Sequence, residues 1–270
     1  MEGNLFTHKN LILLRELVKT DFKLRYQGSL IGYAWSLLKP LMLFAVMYVV
    51  FVRFLRFGAD VPHFAVALLL GMVLWGFFAE TTSMGMMSVL MRGDLLRKIH
   101  FPAEIIVISA SIGALINLLI SFVVVICFAI VNEVDITYHL LIYVPFLLIE
   151  LYLFSLGVAF YLADYYVKYR DIGPIWEVLL QVGMYATPII YPLSLVIKES
   201  EKAAKWVLMN PMAQIIQDMR HILITPYNLT AFDLITTWWV WTVPFIITIV
   251  VFISGYWRFK KNCKYYAEIL

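Results

Sequence analysis

The chain has 270 residues, of which 63% are hydrophobic and only 14% charged, with a formal net charge of +3 and a mean hydropathy of +0.85. A soluble domain carries about 45–50% apolar and about 25% charged residues, so this composition excludes an ordinary aqueous globule and points to a bilayer. The small net charge argues against nucleic acid as a partner. Cys127 and Cys263 lack metal-site spacing and are not expected to pair.

Residues 1–36 are charged and amphipathic, and no cleavable signal peptide is expected there. Arg15, Lys19 and Lys23 are four apart and share one helical stripe. Leu11, Leu14, Leu17, Val18 and Phe22 fall on a separate arc, interrupted by Asp21 and Arg25. A basic amphipathic helix next to a span is expected to lie in the headgroup plane. The alternative is a surface helix packed on protein.

A bilayer span needs about 20 mostly apolar residues. Six are predicted: about Leu37 to Phe57, Phe64 to Met91, Ile105 to Val131, Leu140 to Ala163, Ile172 to Leu193 and Leu234 to Trp257. Lys39 and Arg53 sit near the ends of the first, where long basic side chains can snorkel. The expected architecture is therefore an all-α integral membrane protein in one domain over residues 1–270. An amphipathic interfacial segment (1–36) precedes the six-span region (37–257), and a basic tail (258–270) follows.

An even number of spans puts both termini on one side, and basic residues say which. The N-terminal segment, the second-to-third and fourth-to-fifth connections and the tail hold fifteen of the 21 Lys and Arg residues. Both termini are expected in the cytoplasm, and so is the charged connection MRGDLLRKIHFPAE (Met91 to Glu104). Gly93-Asp94 offers a helix start there, with Asp94 as the expected N-cap. Leu95, Leu96 and Ile99 give an apolar side; Arg97, Lys98 and His100 give a polar one. Phe101-Pro102 ends the helix, because a residue before proline avoids helical angles, and Pro102 suits the first turn of the next span. A helix of about two turns is unstable alone and needs a surface to dock against. An ordinary positive-inside loop is the alternative.

The longest connection, about Ser194 to Asp233, falls outside. Met212, Ile215, Ile216, Met219 and Leu223 recur at helical spacing after Asn210-Pro211, so one or two short external helices are expected between spans five and six. Asn228-Leu229-Thr230 matches a glycosylation sequon.

Several chemistries have no motif. There is no Gly-Lys pair for a phosphate-cradling loop, and no His-Glu-x-x-His, Cys-x-x-Cys or Gly-x-Ser-x-Gly. No metal site is expected. Any uphill transport must draw on a gradient or on another chain. A gradient-coupled carrier keeps ionisable groups inside the membrane; the candidates are Glu80 and Glu150, with Glu177 nearer an edge. Hydrogen bonding between helices, or across a dimer, is their alternative role.

The segment RYQGSLIGYAWSLLKPLMLFAVMYVVF (Arg25 to Phe51) resembles the start of type-2 ABC exporter permeases that move polysaccharides, the O-antigen, capsule and teichoic-acid class. The shared elements are Arg25-Tyr26, Gly28-Ser29, Gly32-Tyr33, Trp35 and Pro40. The resemblance continues through LLRKIHFPAEI (Leu95 to Ile105), YRDIG (Tyr169 to Gly173), ATPIIYP (Ala186 to Pro192) and NPM (Asn210 to Met212) with Arg220. Lys39 departs from it, where a small polar residue would be expected.

The resemblance implies a homodimer around a central pathway in the cell inner membrane, exporting a lipid-linked, O-antigen-like polysaccharide. It implies two ATP-binding-cassette subunits below, which would bind ATP and Mg; no cofactor is expected in this chain, nor catalysis by it. It also implies that Asp94, Leu95, Leu96, Arg97, Lys98, Ile99 and His100 form a coupling helix seated on the ATPase. Tyr169, Arg170 and Asp171 are candidates for the same contact.

Aromatic rings can stack on sugar faces while Tyr and Trp tips offer hydrogen bonds. Tyr33, Trp35, Phe44, Tyr48, Phe51 and Tyr185 are the candidate pathway residues, against the interfacial aromatic belt of any membrane protein. Three other functions compete with polysaccharide export: a permease of the same architecture for drugs or lipids, a membrane-embedded transferase and a proton-coupled carrier.

Overall fold

The computed structural model describes residues 7–26, 32–99, 101–134, 138–235 and 238–266; side chains of residues 24–26, 33, 138–140 and 238–239 lie outside that description. Twelve α-helices, one π-helical segment and a few short 3-10 turns account for the described secondary structure, and no strand occurs among the described residues. Five helical segments are long and apolar enough to cross a bilayer: Trp35–Phe54, Phe64–Met91, Glu104–Val131, Leu141–Lys168 and Val240–Tyr265. The protein is a multi-pass membrane protein.

The amphipathic segment forms α1 (His8–Tyr26). The first span is α2 (Trp35–Met47), continued by wide i→i+5 turns over Tyr48–Phe54. The Leu55 amide donates to the Val50 carbonyl at 3.0 Å. Such π-turns are rare and recur at functional sites.

At the centre lies α3 (Phe64–Met91). It packs on α5 (Glu104–Val131) and α6 (Val144–Lys168), and α6 packs in turn on α12 (Val243–Asn262). Lipid gives no hydrophobic drive for helix association, so close contact depends on small residues. Gly157 on α6 and Gly255 on α12 supply it. A Cβ at Gly157 would lie 2.7 Å from the Phe252 Cα, and one at Gly255 would lie 2.5 Å from the Gly157 carbonyl oxygen.

The fifth predicted span is shorter than expected. Instead of running to Leu193, α7 spans Ile172–Ala186, 15 residues, or about 22 Å at 1.5 Å per residue. Pro188 is the cause: the preceding Thr187 is extended (φ −88, ψ 139), as a residue before proline prefers. The chain then crosses a buried turn through Ile189 and Ile190.

Where one or two short helices were expected after it, the structure has four: α8 (Leu193–Glu199), α9 (Glu201–Leu208), α10 (Pro211–Leu223) and α11 (Ala231–Leu234). The caps explain the breaks. The Ser200 hydroxyl accepts from the Ala203 amide, the Asn210 side chain accepts from Met212, and Thr230 and Asp233 form a capping box. Of the predicted apolar face of α10, Met212, Ile215, Ile216 and Met219 are buried and Leu223 is partly covered, but Gln217, Asp218 and Arg220 are buried as well.

The bundle has two distinct ends. One gathers α1, α4 (Gly93–Lys98), the start of α5 and the last turns of α6 and α12 around Leu17, Leu96, Phe101, Phe160 and Phe259. The other is the cap of α8, α9 and α11, which close on Leu193, Ala204 and Leu208. Lys198 of the cap pairs with Asp60 in the loop after the first span at 2.7 Å, so those two connections share one end.

Candidate functional site

The short helix α4 juts from the bundle between α3 and α5. It begins at Gly93 with Arg92 before it, and no side chain caps it. Asp94, expected as the N-cap, lies inside the first turn, where its charge still complements the helix dipole. The helix ends at Lys98, and Ile99 is extended. The next helix starts at Glu104, so Pro102 stands two residues before it and not in its first turn. His100 lies outside the described residues.

Two contacts fix α4 to the body. Leu96 is buried in the cluster at that end, and Arg92 forms an ion pair and hydrogen bond with Asp21 of α1. Asp94, Arg97, Lys98 and Ile99 are exposed and Leu95 is partly covered. A knob held by one face and bare on the other is suited to a protein contact. Tyr169, Arg170 and Asp171, between α6 and α7, are also exposed, and the Arg170 guanidinium lies 5.6 Å from the centre of the Tyr166 ring.

The same end contains a polar lock that sequence reasoning missed. Asp164 is fully buried on α6 and accepts from Arg258 Nε at 2.9 Å, Asn262 Nδ2 at 2.8 Å and Tyr266 Oη at 2.8 Å. It joins α6 to α12 and the segment after it. It lies one residue past the predicted end of the fourth span, where no motif marks it.

At the cap end, Arg220 of α10 is wholly buried. Its Nε donates to the Ala67 carbonyl at 2.9 Å, and Nη1 and Nη2 donate to the carbonyls of Pro188 and Ile189, each at 2.6 Å. Burial lowers its pKa from 12.5 to about 9, which leaves it charged at neutral pH. Gly71 of α3 makes room for it, since a Cβ there would lie 2.7 Å from Nη2. Arg220 thus satisfies the carbonyls that the break after α7 sets free.

The intramembrane acids differ. Glu80 accepts from Asn117 Nδ2 of α5 at 2.7 Å, a bond between helices. Glu150 is buried on α6, within charge–charge reach of Asp218 on α10. Buried acceptor atoms of Glu150, Asp218 and Gln214 have no hydrogen-bond donor among the described residues, although Gln214 donates to the other Asp218 oxygen.

Burial raises the pKa of Asp218 from 3.8 to about 6; the Gln214 amide and His221 oppose the rise and Asp233 adds to it. The folded protein therefore holds this proton more tightly than the unfolded chain. The stability cost is absent below about pH 4, grows to about pH 6 and is complete above, reaching about 3 kcal/mol. Asp218→Asn is expected to raise the thermal midpoint at pH 7.5 and to flatten its fall between pH 4 and 6. An unchanged pH profile by differential scanning fluorimetry would refute this assignment.

The candidate pathway aromatics fall into two groups. Trp35 and Tyr185 are exposed. Phe44 is buried in the chain's own core, 5.4 Å between ring centres from Phe128. Tyr48 and Phe51 are partly covered; Arg53 lies 5.7 Å from the centre of the Tyr48 ring, and Phe57 5.7 Å from Phe51. The side chain of Tyr33 lies outside the described residues.

Comparison with known proteins places this architecture. A family model described as "ABC-2 type transporter" matches residues 12–224. An O-antigen export system permease protein RfbA from Myxococcus xanthus is 30% identical over 210 residues, covering 78% of this chain and 79% of the relative. A protein of the same name from Klebsiella pneumoniae is 25% identical over 258 residues, covering 96% of this chain and 95% of the relative. The family match runs from α1 through the first four of these apolar helical segments and α7 to the end of α10, and so takes in both the exposed knob at one end and the Arg220 anchor at the other, but not α12. The chain belongs to the ABC-2 type transporter family.

Proposed function

We propose that this chain is the membrane-spanning half of an ATP-driven exporter of a lipid-linked polysaccharide, working as a pair and seated on separate ATPase subunits through α4. The observation that carries the proposal is the build of α4: Leu96 and Arg92 tie it to the body, while Asp94, Arg97, Lys98 and Ile99 are exposed. A force applied to that face passes directly into α3 and α5, which flank it in sequence. The cargo is inferred from the two relatives named for O-antigen export.

In this reading six segments cross the inner membrane. The sixth crossing is α7 with the buried turn through Ile190, whose irregular backbone is tolerated because protein covers it and Arg220 takes its carbonyls. That count puts both termini and α4 on the basic, cytoplasmic side. Of the first span only Phe44 is buried, and one face of α7 is likewise bare. These two helices leave room for a second copy, and Trp35 and Tyr185 would offer the polymer its aromatic surfaces.

The charge-reversed pair Arg97→Glu/Lys98→Glu tests the proposal. Both residues are exposed, so the variant should fold and insert normally. Co-purification with the ATPase and surface delivery of polymer are expected to fall at least tenfold. Normal attachment and normal export would reject α4 as the coupling element.

A further inference from the structure

Between α1 and α5 lies a cavity of about 660 Å³, within the about 300–1,000 Å³ of ligand sites. Its lining is of two kinds. Leu11, Leu14, Val18 and Phe22 of α1 and Ile112 and Ile116 of α5 make it apolar. Arg15, Lys19 and Lys23 rim it on one side. These three are exposed, and none forms an ion pair among the described residues.

The depth of the cavity limits what can fill it. Ile112 and Ile116 lie 8 and 12 residues beyond Glu104, about 12 and 18 Å into the span. The apolar part therefore sits at acyl-chain depth. The basic rim belongs to α1, which is anchored beside α4 by Leu17 and by the Asp21–Arg92 pair. A soluble anion would satisfy the rim and leave the floor empty. A neutral lipid would fill the floor and leave three cations without a counter-charge.

We propose that this cavity is a binding site for one anionic phospholipid, with its phosphate on Arg15, Lys19 and Lys23 and an acyl chain between α1 and α5. The occupant is a lipid of the surrounding leaflet, not the transported polymer, so the site does not depend on the export reading. Bound there, the lipid cements α1 to α5 beside the α4 knob.

The test is native mass spectrometry of the delipidated full-length chain, titrated with phosphatidylglycerol or with phosphatidylcholine of the same acyl chains. Each basic group near a headgroup is worth roughly fivefold. One phosphatidylglycerol per chain is expected, held on the order of tenfold or more tighter than phosphatidylcholine. Arg15→Gln/Lys19→Gln/Lys23→Gln should erase that preference and leave residual binding of both lipids. Ile116→Trp, which fills the floor, should weaken both. Glycerol 3-phosphate should fail to displace the lipid.

Equal retention of the two lipids by the unaltered chain would overturn the proposal, as would a preference that survives the triple substitution. Displacement by glycerol 3-phosphate alone would show a headgroup site without a chain site. Lipid binding that disappears when the chain dimerises would assign the cavity to the second copy.

Discussion

Replacing Arg220 by Met is expected to lower the thermal midpoint of the purified chain by on the order of 10 °C and to cut the yield of monodisperse protein. The side chain is fully buried and holds three main-chain carbonyls, of Ala67, Pro188 and Ile189. Methionine fills the space but donates nothing. Each orphaned buried carbonyl costs about 1–3 kcal/mol. Relief of the buried guanidinium offsets part of that loss, yet removal of one partner from a buried charged network typically costs about 3–5 kcal/mol net. Arg220→Lys should recover less than half, because one ammonium cannot reproduce a planar fork spread over α3 and the α7–α8 turn. A thermal midpoint unchanged in Arg220→Met would show that the turn is held by something else.

The second large effect concerns the α6–α12 contact. Gly157→Val should separate the two helices, because a Cβ there meets Phe252 Cα at 2.7 Å and its amide nitrogen at 2.8 Å. These are main-chain atoms and cannot rotate away. Overpacking in a well-fitted contact costs about 1–3 kcal/mol, occasionally more, and a branched side chain against a helix backbone is an extreme case. The displacement would also pull Arg258 and Asn262 from Asp164. Gly113→Ala is the control, since a Cβ there meets nothing within 4 Å. Detergent-resistant, monodisperse protein should be lost with Gly157→Val and kept with Gly113→Ala. Equal behaviour of the two would refute the close-contact account.

Long uncharged runs were the most legible feature of the sequence. The predicted span Phe64 to Met91 coincides with α3, and Ile105 to Val131 falls one residue short of α5. The helix after Asn210-Pro211 was also legible, because its cap and apolar period agree. Hydropathy failed at α7. Ile189, Ile190 and Leu193 continue the apolar run past Thr187-Pro188, but the backbone there has left the helix.

The burial of Asp164 and Arg220 was not legible for a related reason. Asp164 lies one residue past a predicted span and Arg220 in the predicted external connection, both places where a charge normally faces water. Their partners come from 31 to 153 residues away in sequence, and no local pattern marks such pairings. Glu80 proved to be a helix-to-helix hydrogen-bonding group. That role was weighed from the sequence, but Asn117 could not be named as its partner.

The Asp21–Arg92 pair has a mechanical consequence. It rivets α1 to the root of the knob, so the two cannot shift independently while the pair is closed. If α4 is the ATPase contact proposed above and α1 lies at the membrane surface, a displacement of the knob would carry α1 with it through the leaflet. Turnover would then slow as the leaflet stiffens, and the cycle would be throttled by lipid viscosity as well as by nucleotide.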